Sequence, residues 1–279
     1  PEDQVAARLS ADLSALGESV AVVGGDGLWQ AHVHTDRPLE VLALAAPSGT
    51  RTGQVRIRHL ATQAGVHGAH RRTLGLVTVT GASGLVPDLA RAGAVVVLVP
   101  PGDRVGPQLA RAVDDTGSGH VLVLVVGDLP ETALPSTALP DGAAAGARPG
   151  RAGVDAVAGL GEVHLVTGAA TFASLDPSLG DAALLGLVVD AVSRVRAAHV
   201  ELADGGADVG APGQAGRVLT AARDLLTPRT TLLTVLTGTA TPPGPLAELR
   251  DGLAASHPAV DLVVLDGVLP GAQVGLGAE

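Results

Sequence analysis

Two histidines one residue apart, His32 and His34, are the residues of this chain best suited to chemistry. They end a segment that reads as an apolar strand, a glycine-rich turn and a second strand, which also holds the only tryptophan, Trp29. Side chains alternate between the two faces of a strand, so both imidazoles should project from the same side. Paired imidazoles can ligate a metal or hold an anionic reacting group.

A metal at this pair would need further ligands, because tetrahedral zinc sites use at least three protein side chains. His59, in the third predicted strand, is the best local candidate, with Asp26 and Asp36 behind it. The alternative is a partly exposed pair on an edge strand, held by hydrogen bonds and without a chemical role. The residues alone leave open a functional pair, a zinc centre of His32, His34 and His59, and a structural pair.

The elements that position these residues fall into two groups. Residues 1–63 read as helix, hairpin, helix and strand, with Gly24 to Gly27 suited to the hairpin turn. Residues 64–72 are interpreted as a polar linker. In 73–279 strands alternate with helices. We therefore predict an α/β protein in which a small α+β domain with a β-hairpin precedes a larger alternating α/β domain.

Some individual elements are predicted explicitly. A strand at 55–59 is assigned to the first group, 162–167 is predicted as a strand and 273–276 as a short edge strand. The turn at 81–84 is interpreted as a tight strand-to-helix connection rather than a phosphate site, since a full dinucleotide fingerprint is missing. Three isolated histidines are interpreted as structural: His120, His164 and His199.

Composition limits the functional classes. A net charge of −10 argues against nucleic-acid binding, which usually needs a basic surface. The chain has no cysteine, which excludes disulfides and fits a cytoplasmic protein. No apolar run reaches the roughly 18 residues that span a bilayer, so no transmembrane segment is expected. The sequence also contains no lysine, which excludes a Walker-type phosphate loop.

The hairpin segment carries a family resemblance. Residues 18–36, ESVAVVGGDGLWQAHVHTD, resemble the middle domain of dihydroxyacetone-kinase-like proteins, which include the A subunit of bacterial fatty acid kinase and typically show a run similar to DSLVVVGGDGLWNVHVHTDD. Residues 54–63 match the strand that follows in the family, and 232–238 and 256–262 resemble the end of its C-terminal domain. The chain is thus similar to the middle and C-terminal domains of that family, with the Ala, Gly and Arg bias of a GC-rich bacterium.

The resemblance implies a kinase. Its activity would be ATP-dependent phosphoryl transfer to a fatty acid carried by a DegV-type binding protein, with His32 and His34 as catalytic residues and zinc at the pair left open. ATP and magnesium would bind an N-terminal domain missing from this chain, which begins at Pro1 and contains no methionine. The fragment alone would be inactive, and a homodimer is left open.

The second group departs from the family pattern at its loops. Residues 100–104, PPGDR, stand where the family has a Gly-Gly-Gln-Thr-Met-Asn-Pro-Ser loop, and 127–130 replace an Asn-rich loop. Two rival functions follow. One is a non-enzymatic scaffold that binds a protein partner, and the other is a zinc hydrolase built on His32, His34 and His59.

Overall fold

The computed structural model divides the chain into two compact units, Pro1–Gly53 and Gln54–Glu279. The residues it describes are 2–25, 28–44, 55–60, 73–99, 105, 107–129, 147–149, 153–202 and 213–279. The predicted linker at 64–72 lies outside them. The units divide before Gln63, where the sequence analysis ends the first domain, and that domain boundary stays a prediction.

The first unit consists of a helix, a hairpin and a second helix, in the predicted order. Its elements are α1 (Glu2–Ser14), β1 (Glu18–Gly25), β2 (Leu28–His34) and α2 (Pro38–Leu44). The two strands pair antiparallel, and α1 packs against them. Leu13 of α1 is buried, whereas none of the residues of α2 is. The hairpin therefore rests on α1 by one face.

The second unit begins with a six-stranded sheet of order β3-β5-β4-β6-β8-β7. Its strands are β3 (Val55–Ile57), β4 (Leu74–Thr80), β5 (Val95–Leu98), β6 (His120–Val126), β7 (Ala147–Pro149) and β8 (Val154–Leu160). The four inner strands are parallel, and the two edge strands are antiparallel to their neighbours. All of β4 is buried, as expected for a parallel strand covered on both faces.

Helices connect these strands and lead into a second sheet. They are α3 (Val86–Arg91), α4 (Pro107–Asp115), α5 (Glu162–Ser174) and α6 (Asp181–Arg194). The second sheet has the order β11-β10-β12-β9, with the strands β9 (Arg196–Glu201), β10 (Leu232–Gly238), β11 (Asp261–Leu269) and β12 (Gln273–Ala278). Two more helices, α7 (Gln214–Leu225) and α8 (Pro243–Ser256), cover one face of this sheet. The predicted α/β class is confirmed.

The strand at 55–59 was predicted to belong with the hairpin, and this assignment is wrong. Val55–Ile57 pairs antiparallel with β5 and forms an edge of the six-stranded sheet. A strand is placed by its pairing partner, and that partner is far away in sequence. Local sequence pattern therefore identified the strand without identifying its sheet.

Two further element predictions are corrected. Glu162 to Thr167 was predicted as a strand and is the start of α5, because Leu160 ends β8 and Gly161 begins a helix that buries Val163 and Thr167, four residues apart. Short apolar runs with β-branched residues fit either element. The strand β12 was predicted at an edge and lies between β10 and β9. Among the described residues, the helices are too short or too polar to cross a bilayer.

Candidate functional site

The histidine pair lies on the hairpin of the first unit. In the β1–β2 register Ala21 is opposite His32 and Glu18 is opposite His34. Directly opposed residues of an antiparallel pair share a face of the sheet. Between these two pairs the register shifts, and Ser19 adopts a positive φ of 52°, as in a β-bulge. The bulge lies beside the candidate site.

The two imidazoles contact each other. Their ring centroids are 4.9 Å apart and their planes meet at 74°, an edge-to-face arrangement. His32 is exposed and His34 is half-buried. The prediction that both rings share one face is confirmed, and the arrangement leaves ring nitrogens open to a ligand that approaches that face.

The face that carries the histidines points away from α1. Val23 and Leu28 lie on it near the turn and are 69% and 79% exposed. Trp29 and Val33 alternate onto the other face and are half-buried. Large apolar side chains rarely stand this far into solvent in pairs without a binding role. The exposed face thus combines two imidazoles with apolar surface.

The chain just after His34 is tied to the end of α1. The Thr35 hydroxyl donates to the Leu16 carbonyl at 2.7 Å, and the Arg37 guanidinium donates to the Ala15 carbonyl at 2.7 Å. The Arg37 backbone N–H in turn donates to Thr35 Oγ1 at 2.9 Å. These bonds hold His34 in position. Sequence reasoning missed both residues, although a Thr-x-Arg-Pro run before a helix is a recognisable turn signal.

Gly17 lets this connection approach the strand. A Cβ at Gly17 would lie 2.2 Å from the His34 carbonyl oxygen and 2.8 Å from Val33 Cγ2. Real side chains do not reach such distances, so the backbone of β2 can pass this point only over a glycine. The close approach fixes the end of β2 that carries His34.

The zinc hypothesis has no support in the described part of the chain. No group of three His, Cys, Asp or Glu side chains there is arranged to hold a metal. His59 follows β3 in the second unit, and Asp36 is exposed. Asp26 lies outside the described residues. Because the chain also lacks lysine, the described residues do not fit magnesium and a nucleotide phosphate chain.

The isolated histidines have local partners. His120 lies 2.7 Å from an Asp155 carboxylate oxygen. His164, at the third position of α5, accepts a hydrogen bond from the Gly161 backbone N–H at 3.1 Å. Burial lowers the pKa of His164 below its usual 6.5, and backbone hydrogen bonds to Gly161 and Val195 offset part of that effect. His199 is exposed on β9.

The glycine turn after β4 is closely packed. A Cβ at Gly84 would lie 2.5 Å from Val268 Cα, so the turn touches the backbone of β11. The Ala82 N–H donates to the buried Thr80 hydroxyl at 3.0 Å. These contacts support the interpretation of 81–84 as a structural connection.

Comparison with known families bears on the hairpin. Residues 2–66 match the family model of the FakA-like middle domain of fatty acid kinase. The chain therefore carries a FakA-like middle domain. The resemblance drawn from the hairpin motif is confirmed for this segment, and the histidine pair lies inside it. The matched segment runs past the compact first unit and includes β3 of the second.

Solved structures similar to this chain are distant. The dihydroxyacetone kinase operon co-activator DhaQ is 11% identical, with a TM-score of 0.48 over 74% of this chain and 82% of its own. A fatty-acid-binding DegV family protein from Thermus thermophilus is 12% identical, with a TM-score of 0.44 over 74% and 98%. The dihydroxyacetone kinase of C. freundii is 14% identical, with a TM-score of 0.46 over 88% and 56%. No curated protein matches the sequence.

Proposed function

We propose that this chain is the middle and C-terminal part of the catalytic component of a fatty acid kinase. The reaction is attack of a fatty acid carboxylate oxygen on the γ-phosphorus of ATP. The new O–P bond forms as the bond to ADP breaks, and the products are an acyl phosphate and ADP. The observation that carries the proposal is the exposed His32–His34 pair within a FakA-like middle domain.

The histidine pair would act by charge and position. A carboxylate nucleophile is already ionised, so the reaction needs no general base to remove a proton. Its difficulty is the approach of one anion to another. Imidazolium rings beside the carboxylate would offset that repulsion, which is the kind of assistance on which phosphoryl transfer depends. The contacts of Thr35 and Arg37 with α1 would keep His34 in place during the reaction.

The proposal assigns ATP and magnesium to a nucleotide domain that precedes Pro1 in the full-length protein. The described residues of this chain offer no group for magnesium, and the sequence has no lysine for the phosphates. This chain would contribute the histidine face and the α/β unit. ATP as the donor implies a cytoplasmic enzyme.

The acyl substrate would arrive on a DegV-type fatty-acid-binding protein. Val23 and Leu28 stand beside the histidines on the exposed face and supply apolar surface for that complex. Protein interfaces are enriched in such apolar contacts at their centres. A fatty acid presented there would place its carboxylate toward the imidazoles and its chain toward the apolar side chains.

The test uses the full-length protein with its fatty-acid-binding partner, ATP and magnesium. Acyl phosphate would be trapped with hydroxylamine and counted for wild type, His32→Ala, His34→Ala and the control His257→Ala, which lies in the second unit. We expect turnover to fall about 100-fold or more in the first two variants, the usual loss when a group that stabilises charge is removed. His257→Ala should match wild type, and all four should melt at similar temperatures.

Near-normal turnover in both hairpin variants would contradict the catalytic role. A fall in turnover that tracks a fall in melting temperature would do so as well, since it would mark a structural pair. In either case a non-enzymatic scaffold that binds a protein partner would become the better description.

A further inference from the structure

The second unit contains a cavity of about 170 Å³ that the proposed kinase function does not use. It lies where the first turn of α5 meets the four-stranded sheet. The first turn contributes residues 161–164, β9 contributes 197–199, and the floor is formed by Leu236 and Gly275. All of these belong to one compact unit.

Glycine creates the open floor. In the β9–β12 register Gly275 is directly opposite His199, so a side chain at 275 would share the cavity with the imidazole. The sheet has another glycine on the same face, where a Cβ at Gly277 would lie 3.0 Å from Val163 Cβ. The two positions allow α5 to approach the sheet and leave space above Gly275.

The polar groups of the cavity lie on its walls. Glu162 begins α5 on one side, and His199 stands on the other. His164 also lines it, but its ring is occupied by hydrogen bonding with the backbone and burial keeps it uncharged near neutral pH. The remaining lining is small and apolar, from Val163, Ala197, Ala198 and Leu236.

We propose that this cavity binds a small neutral molecule with an apolar body and one hydroxyl group. The hydroxyl would bond to Glu162 and His199, and the apolar body would cover Leu236 and Gly275. An anionic ligand would face the Glu162 carboxylate, and a cationic one would face His199 when it is protonated. A cavity of about 150 Å³ holds benzene in another protein, so a ligand of about six non-hydrogen atoms fits.

This site differs from the histidine face of the hairpin in residues and in chemistry. The hairpin pair belongs to the first unit and would hold anions, whereas the cavity belongs to the second unit and should prefer neutral molecules. Failure of one proposal leaves the other standing. A variant at Gly275 changes no residue that the kinase proposal uses.

The test is a titration of the whole chain with cyclopentanol, followed by NMR of the Val163 and Leu236 methyl groups and the His199 ring. Cyclopentylamine and pentanoate provide a cation and an anion of similar size. We expect cyclopentanol to give saturable shifts at these three residues with a Kd of about 1–10 mM, a typical strength for so small a ligand. Both charged probes should bind at least about 10-fold more weakly.

Gly275→Ala provides the decisive variant. Its methyl would make ordinary contacts of 3.5–3.7 Å with Leu269, Leu236 and Val163, so the fold should be kept while the cavity shrinks. We expect its Kd for cyclopentanol to rise at least about 10-fold. The matched control Gly186→Ala, on an exposed surface of α6 with open space around the added Cβ, should bind like wild type.

Three results would each overturn the proposal. They are the absence of saturable shifts up to about 50 mM cyclopentanol, an unchanged Kd in a folded Gly275→Ala variant, and tighter binding of either charged probe than of the alcohol. The first would mark a solvent-filled gap. The second would place binding elsewhere, and the third would assign a different class of ligand.

Discussion

Gly17 lies against the backbone of His34 so closely that any Cβ would come within 2.2 Å of the His34 carbonyl oxygen. This contact joins the end of α1 to the strand that carries the candidate site. The atom in the way belongs to the backbone and cannot rotate aside, as a flexible side chain could. The position of the histidine pair therefore depends on a residue that has no side chain.

The first prediction concerns this contact. Gly17→Ala should lower the stability of the hairpin by about 1–3 kcal/mol, the usual cost of an overpacked site. Unfolding in urea, followed by the fluorescence of Trp29 in β2, measures the effect directly. Gly25→Ala is the matched control, since its added Cβ would meet no atom within 4 Å. Equal unfolding midpoints for the two variants would show that the close approach is not strained by a methyl group.

The second prediction concerns the turn after β4. Gly84→Ala should destabilise the second unit by about 1–3 kcal/mol, because its methyl would meet the Val268 backbone at 2.5 Å. At Gly81 the nearest atom, the Val99 carbonyl oxygen, is 3.4 Å from an added Cβ, so Gly81→Ala serves as the control. Far-UV circular dichroism in urea reports the second unit. A wild-type midpoint for Gly84→Ala would contradict the tight connection between the two sheets.

The third prediction concerns His164 and pH. Burial lowers its pKa in the folded chain, so below pH 6.5 the unfolded chain binds the proton more readily than the folded chain does. The contribution of the neutral ring to stability is complete above pH 6.5 and decreases as the pH falls through the folded pKa. Acid should therefore destabilise wild type more than a variant that lacks this group.

The matching variant is His164→Gln, because glutamine at the third helix position can still accept from the Gly161 N–H. Urea unfolding at intervals from pH 8 to pH 5 gives the difference in unfolding free energy between wild type and variant. We expect this difference to stay constant above pH 6.5 and to move against wild type below it. A shift toward wild type on acidification would show that the folded state favours the charged ring.

The fourth prediction concerns nucleotide binding. This chain should show no saturable binding of ATP with magnesium at micromolar concentrations, because its described residues offer no magnesium group and its sequence has no lysine. Isothermal titration calorimetry of the chain with ATP and magnesium tests this, with magnesium alone as the control. Micromolar binding would mean that the nucleotide site lies in this chain and not in a preceding domain.

Several features of the fold followed from sequence pattern. The apolar run at 120–126 predicted β6 with the bounds that the structure shows. The glycine-rich turn predicted the hairpin, and alternation along β2 placed His32 and His34 on one face. These predictions succeed because strand period and turn chemistry act over a few neighbouring residues.

Other features depended on partners that are distant in sequence. Neither the sheet of β3 nor the central position of β12 could be inferred locally, since Val55–Ile57 pairs with β5 and β12 lies between β10 and β9. The start of α5 matched a strand until its packing was known. Elements of this kind are decided by which surfaces they bury, and that choice exists only in the folded chain.

The candidate sites divide in the same way. The sequence by itself determined that two imidazoles share a strand face in a kinase-like segment, because residue type and a period of two are local properties. Only the tertiary structure decided that Gly17, Thr35 and Arg37 hold that strand in place. Only the tertiary structure, too, brought Glu162 and His199 to the walls of one cavity, because they lie on different elements that meet when α5 packs on the sheet.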